Sequence, residues 1–339
     1  MPEESLPLRR LGSLTLGVFD RDDPTPGHES LLQVLEFGER LGFDSAWLRH
    51  RHLQYGVSSP VAIMASASQR TSRIEIGTAV TPLGWENPLR LAEDLATVDI
   101  LTGGRVNPGI SVGPPMRWDD VRAALYPDTA ELEDLTYRPG RALPVVRGGG
   151  TGRGHRSDDR LRGLVRPRRT ALAGAALTCL VRRRLAALGP MGRENGLHFV
   201  SSNVIRAEDS EVFEDIQEAQ LELFRSVHPD PASARASQGL VVIPTDSATP
   251  EQRARYGAYV EARTPRTAHP QGPQRMLFAR DLIGTSDQVA EQLYAHKGSR
   301  QVDEVVFALP FTFRHQDYVQ ILTDIATRLG AALGWSPAS

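Results

Sequence analysis

The sequence predicts an α/β protein of the TIM-type (β/α)8 barrel class, irregular in the middle. Three observations carry this reading. Short apolar or β-branched runs alternate with amphipathic stretches along most of the chain, the order expected of a parallel sheet covered by helices. Glycine and polar residues fall where these runs end, at Gly77-Thr78, Gly103-Gly104 and Gly284-Thr285. The chain has 339 residues, 40% of them hydrophobic, which suits one barrel with insertions. A single domain over residues 1–339 is therefore expected.

Leu14 to Phe19 reads as the first strand, and Ser30 to Leu41 as the first helix, with Leu31, Leu35 and Leu41 on one face. Ser45 to Leu48 is the second strand. Ser59-Pro60 opens an Ala-rich helix to about Ser68, the serine as N-cap and the proline where no N–H is needed. Arg73 to Val80 is a β-branched, alternating run typical of a strand. Asn87-Pro88 then starts a helix in which Leu91, Leu95, Val98 and Leu101 recur at three- and four-residue spacing before Gly103 stops it. Arg105 to Val112 follows as a strand.

Toward the other end, Leu197 to Ser202, Gly239 to Ile243 and Glu304 to Leu309 are strand-like, the fifth strand being supported mainly from Leu197 onward. Thr285-Ser286-Asp287-Gln288 is a capping box that opens a helix. Between these, Glu251 to Arg263 reads as a helix. The proline-rich remainder to residue 276 is long enough to be a lid, and a plain surface connection serves equally well.

Composition narrows the function classes. No apolar run approaches the roughly 20 residues that cross a membrane, and the opening Met-Pro-Glu-Glu-Ser lacks a basic and apolar leader, so a cytoplasmic protein with no membrane partner is expected. Cys179 is the only cysteine, which excludes disulfides within the chain and cysteine-based metal sites; no metal is expected. No Gly-x-Gly-x-x-Gly fingerprint follows a strand, so the chain has no nicotinamide site of the familiar kind.

Several segments in joint order carry a resemblance: Leu41-Gly42-Phe43-Asp44-Ser45-Ala46-Trp47, the His50 to His52 cluster, Ser59-Pro60, Gly77-Thr78-Ala79-Val80, Asn87 to Asp94, Leu101 to Arg105, Gly284-Thr285 and Asp303 to Pro310. Over about residues 10–137 and 194–330 the chain resembles the luciferase-like flavin-dependent monooxygenases, and within them the oxygenases that tailor aromatic polyketides. The resemblance implies a barrel that binds FMN at the C-terminal ends of its strands. Reduced FMN would come from a separate flavin reductase, with O2 and a small organic molecule as substrates and a homodimer as the assembly. F420-dependent reductases or dehydrogenases share the barrel and many of the motifs, and a non-catalytic flavin-binding relative is a further alternative.

The resemblance also nominates residues. The family's Glu-His-His-Phe motif aligns with His50, Arg51, His52 and Leu53, so the position of its first histidine holds Arg51. His52 matches the second histidine, and His50 stands for the glutamate. A histidine titrating near neutrality can move protons. Two histidines among arginines also describe an ordinary solvated loop. Thr78, Ala79 and Val80 match the stretch that lines the flavin ring, often through a non-prolyl cis peptide, with Ala79 to Val80 as the candidate bond. Ser111 matches a ring-adjacent position, or else fills the upper layer of the barrel.

Residues 138–193 break the pattern. They contain 14 arginines against Asp158 and Asp159 and lack Phe, Tyr and Trp, so the segment is +12 and the rest of the chain −14 for a total of −2. Gly148-Gly149-Gly150-Thr151-Gly152-Arg153-Gly154 and Arg166-Pro167-Arg168-Arg169 fit neither a packed helix nor a buried strand. Codons allowed for Leu180 to Gly192, read one base later, can encode WYGAGSLRSAQWA. Joined to Glu194-Asn195-Gly196-Leu197, this resembles the family's flavin-phosphate segment. A frameshift over about 139–193 accounts for both facts, in a gene whose product has 38 Arg and one Lys. The alternatives are a genuine Arg-rich insertion and a nucleic-acid arm, the latter disfavoured by the absence of aromatic residues for base stacking.

Overall fold

A computed structural model describes residues 8–49, 51–111, 117–125, 176–177, 198–228, 230 and 234–337. Most of the Arg-rich segment, His50 and Val112 lie outside the described residues. Strand β1 is Arg10–Thr15, helix α1 Thr25–Arg40, β2 Ser45–Leu48, α2 Pro60–Ser68, β3 Glu75–Thr78, β4 Thr81–Pro82 and α3 Pro88–Thr102. Then come β5 Val106–Asn107, β6 Gly109–Ser111, α4 Trp118–Leu125, β7 Ala176–Leu177, β8 His198–Ser201 and β9 Val204–Arg206. The C-terminal half adds α5 Phe213–Val227, β10 Ala236–Pro244, α6 Pro250–Arg263, β11 Met276–Phe278, β12 Leu282–Gly284, α7 Ser286–Ala295, β13 Glu304–Ala308 and α8 His315–Asp324.

The main sheet runs in the order β4-β6-β7-β8-β10-β13-β1-β2-β3-β5, every pairing parallel. Its two ends are continuations of each other. β4 resumes β3 after residues 79–80, and β6 resumes β5 after Pro108, so Ile76 pairs with Val106 before the interruption and Thr81 with Ile110 after it. The path therefore returns on itself as a parallel ring, with β3–β4 and β5–β6 each serving as one broken strand. The predicted barrel is the observed architecture.

Local rules account for most boundaries. Ser59 Oγ accepts from the Ala62 N–H at 3.4 Å, and Asn87 Oδ1 accepts from Leu89 and Arg90 at 3.0 and 3.1 Å. Thr249 and Thr285 both close capping boxes, with Gln252 and Gln288. Gly103 ends α3 in the left-handed region at φ 70°.

Three expectations need correction. The first strand is Arg10–Thr15, not Leu14 to Phe19, because Gly17 at φ 62° turns the chain and leaves Val18 exposed. Leu101 is 52% exposed; the buried stripe of α3 continues from Leu91, Leu95 and Val98 to Thr102, so Leu101 sits beside it. The strand beginning near Leu197 occupies the sixth ring position, since Ala176–Leu177 pairs with both β6 and β8 and takes the fifth.

The barrel interior follows strand parity. Ser45 Oγ donates to Glu304 across the ring, and Trp47 Nε1 donates to Ser45 Oγ at 2.8 Å, so both side chains point inside. A Cβ at Gly77 would come within 2.8 Å of the Trp47 indole and one at Gly12 within 2.4 Å of Ser45 Oγ, so these two glycines make room for the inward side chains. At the N-terminal face, Glu304 accepts from Ser45 at 2.5 Å, Ser237 at 2.6 Å and Arg235 at 2.9 Å, while Arg10 and Arg235 both reach Glu75. That face carries the polar plug of the barrel, and the C-terminal face is left for a site.

His198 stands beside this plug and accepts the Arg235 N–H at Nδ1, 3.2 Å away. Burial above all, then Arg235 and His228, depresses its pKa to about 4. Burial likewise lowers His296. An unfolded chain takes up protons on these histidines near pH 6.5, whereas the folded chain refuses them until the pH is much lower. The contribution of His198 to stability is thus full above pH 6.5 and declines as pH falls toward 4, and that of His296 has the same sign. Urea titrations between pH 7 and 4.5 should show falling stability, with a shallower fall in His198→Asn. An identical slope in that variant would remove His198 from the account.

Candidate active site

The chain leaves β2 at the C-terminal face and immediately places Arg49. Its N–H bonds the Thr15 carbonyl at 2.9 Å, which continues the ladder, and parity with Ser45 and Trp47 turns its side chain inward. The Arg49 Nε donates to the Ala79 carbonyl at 3.5 Å. Burial, then Arg51 and Arg263, lower its pKa to about 10, so it is still a cation at neutral pH.

Ala79 belongs to the interruption between β3 and β4, and the Ala79–Val80 peptide bond is cis, as the resemblance anticipated. Thr78 is fully buried, and its hydroxyl is spent inside the sheet. Its Oγ1 donates to the Gly109 carbonyl at 2.7 Å, accepts from the Gly109 N–H at 2.9 Å, and lies 3.2 Å from Thr81 Oγ1. Thr78 thus holds the two broken strands together, with its hydroxyl committed to Gly109 and Thr81. Ser111, half-buried, is in register with Pro82. Thr78, Ala79, Val80 and Ser111 are therefore gathered on one arc of the mouth, with Arg49 beside them.

His52 lies apart from that arc. Its ring stacks on Trp85 at 3.9 Å and 8° and lines an open groove of about 600 Å³ with Ser59, Pro60, Glu86, Leu91 and Asp94. Burial lowers the His52 pKa, which keeps the imidazole neutral near pH 7, and burial followed by Asp94 raises that of Glu86. His50 lies outside the described residues, as do residues 180–192, to which the resemblance assigns the phosphate segment.

The far side of the mouth is set by α6. Asp317 accepts from Arg255 at 2.5 Å, Gln252 at 3.1 Å and Tyr256 at 3.2 Å, while Tyr256 stacks on Phe313 at 4.7 Å. These bonds fix the helical half of residues 245–276 to the barrel. Arg263, at its end, pairs with Asp281 and lies 5.9 Å from the Phe311 ring, just past β13. Arg49 and Arg263 escaped the reading of motifs. The available signal for Arg49 was parity, a charged residue two positions after an inward Trp at a strand end.

The family description "Luciferase-like monooxygenase" matches residues 10–122. The 4-hydroxyprotoasukamycin monooxygenase of Streptomyces nodosus subsp. asukaensis is 34% identical over 84 residues, 24% of this chain and 23% of that protein. An F420-dependent glucose-6-phosphate dehydrogenase of Amycolatopsis mediterranei (strain U-32) is 32% identical over 111 residues, 31% of this chain and 33% of that protein. The chain thus aligns with about a quarter to a third of the length of these curated relatives. The crystal structure of apo-MsnO8 shares the fold at a TM-score of 0.70 with 18% identity, covering 97% of this chain and 99% of that one. The match to the luciferase-like monooxygenase family thus covers the first third of the chain, including the strands that build this side of the mouth, and the fold of the described residues is that of apo-MsnO8.

Proposed function

We propose that the chain is a flavin-dependent monooxygenase that uses reduced FMN and O2 to oxygenate a small organic, aromatic polyketide-like substrate. One observation carries the reading: the family match over residues 10–122 falls on the strands whose C-terminal ends bring Arg49, Ala79, Val80 and Ser111 to one arc of the mouth. The groups present fit a flavin ring there. Ala79 and Val80 would offer such a ring an apolar backbone ledge, and Arg49 would offer a hydrogen-bond donor at the same arc. Bound reduced flavin supplies the electrons with which O2 delivers one oxygen atom to the substrate.

The chain's own residues bind, orient and move protons. Ala79, Val80 and Ser111 position the ring, with Thr78 holding their strands in register. His52, neutral near pH 7, accepts or returns a proton at the rim. A separate flavin reductase supplies reduced FMN, and the chain works as a homodimer in the cytoplasm, without nucleic-acid or membrane partners. Among the described residues no helix is long and apolar enough to cross a membrane. The second reading, an F420-dependent reductase or dehydrogenase, is favoured by the Amycolatopsis relative.

Titration of the full chain with FMN and with F420 separates the two. Under the first reading FMN binds in preference to F420, and a reductase-coupled reaction transfers isotopically labelled oxygen from O2 to an aromatic test substrate. His52→Ala should lower product formation by about 100-fold or more, the usual contribution of a positioned acid or base, with the fold intact. Preference for F420 would establish the second reading. FMN binding without oxygen transfer would leave a non-catalytic flavin-binding protein.

A further inference from the structure

The mouth of the barrel holds a positive charge that the described chain does not balance. Arg49 points inside, and among the described residues its side chain bonds the neutral carbonyl of Ala79 at 3.5 Å. No Asp or Glu among the described residues forms an ion pair with it. Its neighbours Arg51 and Arg263 carry the same sign, and each has a partner of its own. A half-buried guanidinium facing two more guanidiniums is unfavourable by itself, because desolvation and like-charge repulsion act together. An anion seated between them reverses both effects.

We propose that Arg49, flanked by Arg51 and Arg263, is the receptor for a planar organic anion, a carboxylate or phenolate edge, on a ligand entering the mouth. The fork of a guanidinium matches such an edge in geometry as well as charge, and a weakly hydrated cation loses little on desolvation. The proposal rests on the proposed function only in taking the mouth as the ligand site. The anion has two sources, the oxygen-rich edge of the cofactor ring or an acidic group of the substrate.

The test uses the full chain and needs neither flavin nor turnover. Benzoate and its neutral isostere benzamide are titrated by calorimetry. Benzoate should bind about 10- to 100-fold more tightly than benzamide, the span of a charge-assisted hydrogen bond. Arg49→Met removes the charge but keeps an unbranched chain of similar reach, and loss of an unbalanced, half-buried cation should leave its melting temperature equal or higher. That variant should lose the benzoate preference, and Arg49→Lys should keep only part of it. Equal binding of benzoate and benzamide, or an undiminished preference in Arg49→Met, overturns the proposal. FMN added to the benzoate complex then identifies the source: displacement assigns the anion to the cofactor, and joint binding assigns it to the substrate. A chain that prefers benzoate through Arg49 but binds no FMN would keep this site and end the flavin reading; one that binds FMN without any benzoate preference would do the reverse.

Discussion

Replacing Glu304 with glutamine is expected to remove about 3–5 kcal/mol of stability, the usual consequence of deleting one partner from a buried ionic network. Glu304 has no exposure to solvent. Burial alone would raise its pKa, but Arg235, Ser237, Ser45 and Arg10 more than offset this, and the carboxyl lies below its ordinary value. The carboxylate links β1, β2, β10 and β13 through partners as far as 259 residues away in sequence. Glutamine keeps the shape but leaves Arg10 and Arg235 to share Glu75 alone. Since domains are stable by about 5–15 kcal/mol, the variant should unfold at much lower urea. A urea midpoint within experimental error of the parent would show that the plug is dispensable.

The second large effect concerns the cofactor. A chain carrying the alternative reading frame across residues 139–193, and thus WYGAGSLRSAQWA in place of Leu180 to Gly192, is expected to bind FMN at least about tenfold more tightly. Backbone N–H groups after small residues cradle phosphates, and each charge-assisted bond contributes about 1.5–3 kcal/mol. Arg182, Arg183 and Arg184 supply charge without that cradle. The segment lies outside the described residues, so the comparison rests on sequence alone. Fluorescence titration of the two chains with FMN decides it: equal affinity would make the Arg-rich stretch a genuine part of the enzyme, and resequencing the gene across codons 136–196 gives an independent answer.

Local chemistry made much of the barrel legible. Ser59, Asn87, Thr285 and Gly103 announce helix ends because capping and left-handed turns depend only on residues within one turn. The same locality explains the misses. Leu14 to Phe19 looks as apolar as Arg10–Thr15, and only the pairing with Glu304 to Ala308 decides which run is the strand. Two-residue strands such as Ala176–Leu177 carry no periodicity to read. At the site, Ala79, Val80 and Ser111 were accessible through the order of motifs, and the structure sets them side by side. His52 was accessible in the same way, yet its ring is committed to Trp85 and the groove between α2 and α3.

By itself the sequence determined the alternation of strands and helices, the caps that bound them, the family resemblance and the anomaly of charge in residues 138–193. All of these are properties of neighbours along the chain. The tertiary structure alone decided which side chains point into the barrel, because inside and outside exist only once a ring of strands has closed. That closure turns Ser45, Trp47 and Arg49 inward, buries Glu304 among partners from three other strands, and brings Arg263 toward Arg49 from more than two hundred residues away.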